Sequence, residues 1–183
     1  MADSSITKKA LAESLKELMR TQCFTKISIG ELCANCSMNR KSFYYHFRDK
    51  YDLVNWIFDT EFLALEKAKE PLPAWQFLLE LCQYFDANRT FYRKALAIEG
   101  QNSLSDHIRE QLMPALRHAM VCDCVEEYAI DFYLQFYSDA FLGSMRRWLA
   151  DDHPLPPRAF VKLLFSCMER AAVHVHRQKA LEH

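Results

Sequence analysis

Glycine is nearly absent from this chain. Three glycines in 183 residues leave little room for tight hairpins, glycine-rich phosphate loops or dinucleotide-binding turns, which all need backbone at positive φ. Long apolar runs are missing too. None approaches the ~20 residues that span a bilayer, and Met1 leads into a polar Asp3–Ser4–Ser5 instead of a secretory leader. Seven cysteines, an odd number in a chain large enough to need no staples, point to a reducing, cytoplasmic setting. Cys33 and Cys36 form a C-x-x-C, but no second Cys or His pair follows at zinc spacing. Cys33 stands beside Leu32, where a small hydrophobe belongs, so it reads as core. Cys122 and Cys124 read the same way. There is no nucleophile–base–acid set and no cofactor loop, and His174 and His176, two apart, diverge on a helix. The expectation is a protein that is not an enzyme, with no catalytic residue, no metal, no cofactor and no membrane partner.

What is present favours an all-α chain of about nine helices. Apolar residues make up 50% and charged residues 26%, an ordinary globular balance. The net charge of −1 hides an asymmetry: residues 1–56 carry nine Lys/Arg against six Asp/Glu, and residues 57–183 carry fourteen against eighteen. A basic front on an acidic body suits one end meeting phosphate.

The front contains the most informative stretch, Ile27 to Leu53. Three helix starts crowd into it: Ser28 with Glu31 three residues on, Asn39, and Asp49 with Asp52. Before them, a first helix from Ser4 or Ser5 turns Leu11, Leu15 and Leu18 inward, with Ile6 and Met19 widening the stripe. Lys8, Lys9 and Lys16 fall off that stripe, on a solvated face or near a DNA backbone. The middle short helix, Asn39 to His46, carries Arg40, Lys41, Ser42, Tyr44, Tyr45 and His46, while Phe43 and Phe47 anchor it at i, i+4. Arg and Lys donate to guanine edges or phosphates, and Ser, Tyr and His donate to phosphate oxygens. That density on one short face is the case for a helix that reads a DNA groove.

On these residues the stretch 27–58 resembles the helix-turn-helix of the TetR/AcrR transcriptional regulators. The Phe43-Tyr44-x-His46-Phe47-x-x-Lys50 run is the specific part, joined by Ser28, Ile29, Leu32, Met38 and Leu53. The resemblance implies backbone contacts from Ser28, Tyr44, His46 and Lys50, and base edges faced by Arg40, Lys41, Ser42 and Tyr45, with Asn39 capping the same surface. Two positions depart from the family. Its usual turn glycine is Ser37 here, which must accept a left-handed conformation, and its usual small residue is Lys41.

A fourth helix from Asp49 to about Lys69 follows, its stripe traced by Val54, Ile57, Phe58, Phe62 and Leu65 and its end set by Pro71 and Pro73. In the family this helix joins head to body. Then come a helix marked by Trp75, Leu78, Leu81, Cys82 and Phe85, a short one from Phe91 to Ile98 stopping at Gly100, and one from Ser103 with a kink expected at Pro114. A small pocket is expected there, with Glu99, His107 and His118 as polar candidates beside Trp75 and Tyr92; its ligand is unknown.

Residues 125–150 are apolar around most of the helix, and a second apolar helix follows the Asp151–Pro157 connection. Two such neighbours predict a four-helix interface between two identical chains, drawing on Tyr133, Tyr137, Phe141, Trp148, Phe160, Leu164 and Met168. This region resembles a subgroup of the family that includes the activator of dihydroxyacetone kinase operons, whose signal arrives through a partner protein. The expected layout is a helix-turn-helix head over 1–48, a connecting helix over 49–70, a helical effector and dimerisation body over 71–180, and a tag remnant over 181–183. The expected function is a homodimeric regulator of double-stranded operator DNA, controlled by a small molecule or a regulatory protein. The competing reading is a helical small-molecule-binding or protein-interaction module that binds DNA weakly.

Overall fold

The structure is a computed structural model that describes residues 2–67, 72–98, 100, 102–120 and 127–167. Expectations for Glu99, His118, Cys122, Cys124, Met168, His174, His176 and the terminal 181–183 fall outside the described residues or side chains. Among the described residues every regular element is helical: α1 (Ala2–Thr21), α2 (Ile29–Asn35), α3 (Arg40–His46), α4 (Lys50–Phe58), α5 (Ala64–Lys67), α6 (Ala74–Ala87), α7 (Arg89–Leu96), α8 (Leu104–Met120) and α9 (Glu127–Ala150). A further helix, α10, covers residues 157–167. By internal packing the chain divides into Met1–Glu70 with Asn88–Ile108, and Pro71–Ala87 with Arg109–His183.

In the first unit α1 is the hub, packing on α2, α3, α4 and α7. It starts two or three residues earlier than its serines suggest. Leu11, Ala12, Leu15 and Met19 are buried, whereas Ile6, expected to widen the stripe, is 65% exposed. Ser14 is buried among these apolar neighbours and its polar group is satisfied: Oγ donates to the Leu32 carbonyl (2.7 Å) and accepts from Asn35 Nδ2 (3.2 Å). A buried hydroxyl so paired fixes α2 against α1 at one register.

From the last turn of α1 to the start of α2 the chain presents carbonyls at a helix end and around a 3-10 turn, Phe24–Lys26, where the Phe24 carbonyl also accepts from Ile27 N (3.2 Å). Two lysines take them. Lys94 of α7 donates from Nζ to the carbonyls of Met19 (2.6 Å), Arg20 (3.2 Å) and Gln22 (3.1 Å). Lys50 of α4 donates to those of Phe24 (2.7 Å), Thr25 (3.3 Å) and Ile27 (2.9 Å), with its ammonium 4.4 Å from the Phe24 ring centroid. The first of these charges also sits at the negative end of the α1 dipole.

The connecting helix is not uniform. Between α4 and α5, Asp59–Leu63 form a π-helical turn, which inserts one residue and rotates the following face. Phe62 and Leu63 are therefore buried, while Leu65, expected on the inner stripe, is 62% exposed. Lys16 of α1 pairs with Glu61 of this turn. His107 Nε2 lies 2.6 Å from Asp59 Oδ1 on the same turn.

The second unit has its own core. Leu81, Cys82 and Phe85 of α6 are fully buried, and Ile130, Leu134, Ser138, Leu142, Met145 and Leu149 form the inner stripe of α9. Burial against an apolar surround pushes the Cys82 thiol up to about 12, with the nearby Asp86 charge adding to it. Trp75, expected inside, is 49% exposed. Helix α8 continues through Pro114.

Removing a charged donor from three carbonyls at once leaves them unsatisfied. Lys94→Met should therefore cost about 2 kcal/mol in urea unfolding, whereas Lys9→Met, on an exposed side chain, should stay within about 0.5 kcal/mol.

Candidate nucleic-acid interface

Three caps set the geometry of the front. Ser28 Oγ accepts from Glu31 N (3.1 Å), but the reciprocal half of that capping box is not made. Glu31 Oε1 instead accepts from Gln22 Nε2 (2.6 Å), tying α2 to the connector. Asn39 Oδ1 accepts from Ser42 N (2.8 Å) and starts α3. Asp49 Oδ1 accepts from Tyr51 N and Asp52 N (both 2.9 Å), and Asp52 Oδ2 reaches back to Arg48 N (2.9 Å), one residue before the cap. Each side chain satisfies orphan donors of a short helix that its own hydrogen bonds would barely sustain.

The turn between α2 and α3 closes at Ser37, where φ is +56°. Ser37 N donates to the Ala34 carbonyl (3.1 Å) and Met38 N to the Cys33 carbonyl (2.8 Å), the paired bonds that end a helix through a left-handed residue. Ser37 thus adopts the left-handed conformation that the family resemblance implied for it. Cys33 below the turn is buried; burial raises its thiol pKa, the neighbouring Cys36 adds to this, and the Arg40 guanidinium pulls the other way.

Helix α3 is split cleanly by its anchors. Phe43 and Phe47 are 0% and 2% exposed, while Tyr44 and Tyr45 are 58% and 83% exposed. Asn39, Arg40 and Lys41 are exposed too, and Ser42 and His46 are half-buried. The Tyr45 and His46 rings meet edge to face at 4.9 Å, and Lys8 of α1 lies 5.7 Å from the Phe47 ring centroid and 5.8 Å from that of Trp56. Of the expected contact residues on the segment that forms α2 and α3, Ser28, Asn39, Arg40, Lys41, Tyr44 and Tyr45 are thus exposed, and Ser42 and His46 are half-buried. Lys50 is not brought there in the same way. Its ammonium donates to the three connector carbonyls, and burial lowers its pKa. Sequence reasoning missed Lys94 altogether, because its partners lie more than seventy residues away (separation 75 for Met19).

The second set of expected residues is also sorted by burial. Trp148 and Phe160, assigned to an interface between chains, are only 5% and 8% exposed. Their rings stack at 4.8 Å and 7°, and Trp148 Nε1 donates to the Leu155 carbonyl (2.7 Å), so most of their surface is covered within one chain. Tyr133, Tyr137, Phe141 and Leu164 are half-buried. The open apolar surface lies elsewhere on these helices: Phe132 and Phe136 on α9, stacked at 6.4 Å, are 68% and 57% exposed, and Leu163 on α10 is 56% exposed. An open groove of about 370 Å³ lies farther along, lined by Ser144, Arg147, Trp148, Asp151, Leu155 and Leu163 among others.

Among the described residues the chain is all-helical, and its capped three-helix front has the layout of a helix-turn-helix. Residues 74–170 match the family model described as the transcriptional regulator C-terminal region, of the TetR type. The chain belongs to the TetR family of transcriptional regulators. It is 33% identical over 100 residues to the HTH-type dhaKLM operon transcriptional activator DhaS of Lactococcus lactis subsp. lactis, a stretch of 54% of this chain and 54% of that protein. The match therefore spans about half the length of that curated relative. Among solved structures, a TetR transcriptional regulator from Streptococcus agalactiae superposes with a TM-score of 0.70 at 20% identity, covering 91% of this chain and 95% of that one. The dihydroxyacetone kinase operon activator DhaS superposes with a TM-score of 0.62 at 23% identity, covering 90% and 97%. At such identities these two likenesses speak for the fold.

A residue at +56° carries a steric cost that glycine avoids. Ser37→Gly should raise stability by about 0.5–1 kcal/mol, net of the glycine's extra freedom when unfolded, measurable as a higher urea midpoint with an unchanged slope.

Proposed function

We propose that this protein is a cytoplasmic, homodimeric, sequence-specific regulator that binds double-stranded operator DNA and is controlled by an effector, either a small molecule or a regulatory protein. The observation that carries the DNA reading is the division of α3, with Phe43 and Phe47 turned inward and Tyr44 and Tyr45 outward beside Arg40 and Lys41. The exposed phenols, cations and hydroxyls are the donors that phosphates and base edges accept. The proposed contact set is Ser28, Asn39, Arg40, Lys41, Ser42, Tyr44, Tyr45 and His46, with Lys50 acting through the connector that it clamps. Residues 1–48 form the proposed reading head, 49–70 the link, and 71–180 the effector and dimerisation body.

Dimerisation follows from the apolar surface left open on the body. Phe132, Phe136 and Leu163 leave an apolar face on α9 and α10 that water does not favour, flanked by the half-buried Tyr133, Tyr137, Phe141 and Leu164. Two copies joined there would carry two reading helices to a pseudo-palindromic site, about one DNA turn apart (~34–36 Å). An effector acting on the body would shift the population between two head separations.

A fluorescence titration against the DNA upstream of the protein's own gene tests the first part. Binding should be sequence-specific and salt-sensitive, and Tyr44→Phe combined with Lys41→Ala should weaken it. The slope of log K against log salt should fall by about 0.9 for each phosphate that is no longer neutralised. Equal affinity for unrelated DNA would sink the proposal. For the dimer, light scattering should report two chains in the unaltered protein and one in Phe132→Asp/Phe136→Asp. Trp148→Ala should instead cost about 3–5 kcal/mol of stability by opening a cavity in one chain.

A further inference from the structure

One of the three glycines sits inside the short helix α2, where alanine would be favoured. Gly30 does not need a positive φ, which among the described residues occurs at Ser37, Gly100 and Asn102. What Gly30 has is a neighbour. An ideal Cβ at this position would stand 2.5 Å from Arg40 Nη2, 3.0 Å from Nε and 3.2 Å from Cζ. The guanidinium of the first residue of α3 is folded back onto the α2 backbone, in the space that any other side chain at position 30 would fill. Arg40 as a whole is exposed to solvent. Its charge is also felt within α2, since it opposes the rise that burial and Cys36 impose on the Cys33 thiol.

This seat bears on how the protein meets DNA. In a helix-turn-helix the helix before the reading helix crosses the sugar-phosphate backbone, while the first residues of the reading helix face base edges. An arginine that starts the reading helix but lies back on its predecessor carries its charge to the backbone side. Resting on the operator-binding reading above, we propose that Gly30 is a positioning residue that seats Arg40 as a phosphate contact and removes it from base readout. Base edges are then left to Lys41, Ser42 and Tyr45. The base-facing role that the family resemblance implies for Arg40 is thereby reassigned.

The test uses the full chain and a duplex that it selects from a randomised DNA pool. Affinity is measured across a salt series for the unaltered protein, Arg40→Ala, Gly30→Ala and the double variant, on the selected duplex and its single-base-pair variants. Arg40→Ala should weaken all duplexes by one common factor, preserve the ranking of base pairs, and reduce the salt slope by about 0.9. Gly30→Ala should evict the guanidinium and reproduce that loss, while its melting temperature holds or rises because alanine is the better helix former. Added to Arg40→Ala, it should have no further effect on binding. A changed preference at one base pair in Arg40→Ala, an additive loss in the double variant, or a lower melting temperature for Gly30→Ala would each overturn the assignment while leaving the regulator reading intact. Failure of the unaltered chain to select any sequence would overturn both.

Discussion

Two ammonium groups close the connector between α1 and α2. Lys94 and Lys50 approach from α7 and α4, and between them they donate to six carbonyls from Met19 to Ile27. Oxygens at a helix end and in a short connector have few backbone donors within reach. Once it is held, α2 is fixed at its start by Ser28 and Gln22–Glu31, and along its inner face by Ser14 and Asn35. The angle of α3, and so the direction of its exposed tyrosines, depends on that chain of attachments. Charge-assisted bonds suit the task, being shorter and stronger than neutral ones.

The same clamp explains why α7 packs with the front in one compact unit, although more than sixty residues separate it in sequence from the end of α1. The π-helical turn Asp59–Leu63 adds a second attachment, with Glu61 held by Lys16 and Asp59 by His107. A widened turn rotates the helix beyond it, and the exposure of Leu65 beside a buried Leu63 is the visible result.

Burial also divides the aromatic residues of the C-terminal helices into two kinds. Trp148 and Phe160 complete the core of one chain, whereas Phe132 and Phe136 remain open. Hydrophobicity alone does not separate these roles, since all four are large, apolar and at helical spacing. The difference is the Leu155 carbonyl, which receives the Trp148 N–H, together with the fold of the 151–156 connection that brings it there.

What the sequence determined by itself was local. The caps at Ser28, Asn39 and Asp49, the inward Phe43 and Phe47 and the outward Tyr44 and Tyr45 were all legible, because each depends on partners within about four residues, and the left-handed Ser37 was implied by the family resemblance. The all-helical class followed from the scarcity of glycine and the periodicity of the apolar residues. Tertiary structure decided where the long side chains ended. Lys50, given a phosphate contact by the family resemblance, also holds three carbonyls of the connector. Lys94 has no local signal, and Glu31 leaves its own cap for Gln22. Gly30 looks like a weak point in a helix until the Arg40 guanidinium is seen against it. A lysine, arginine or tryptophan reaches several ångströms from its backbone, so its partner is chosen by how helices pack, and packing is set by residues far apart in the chain.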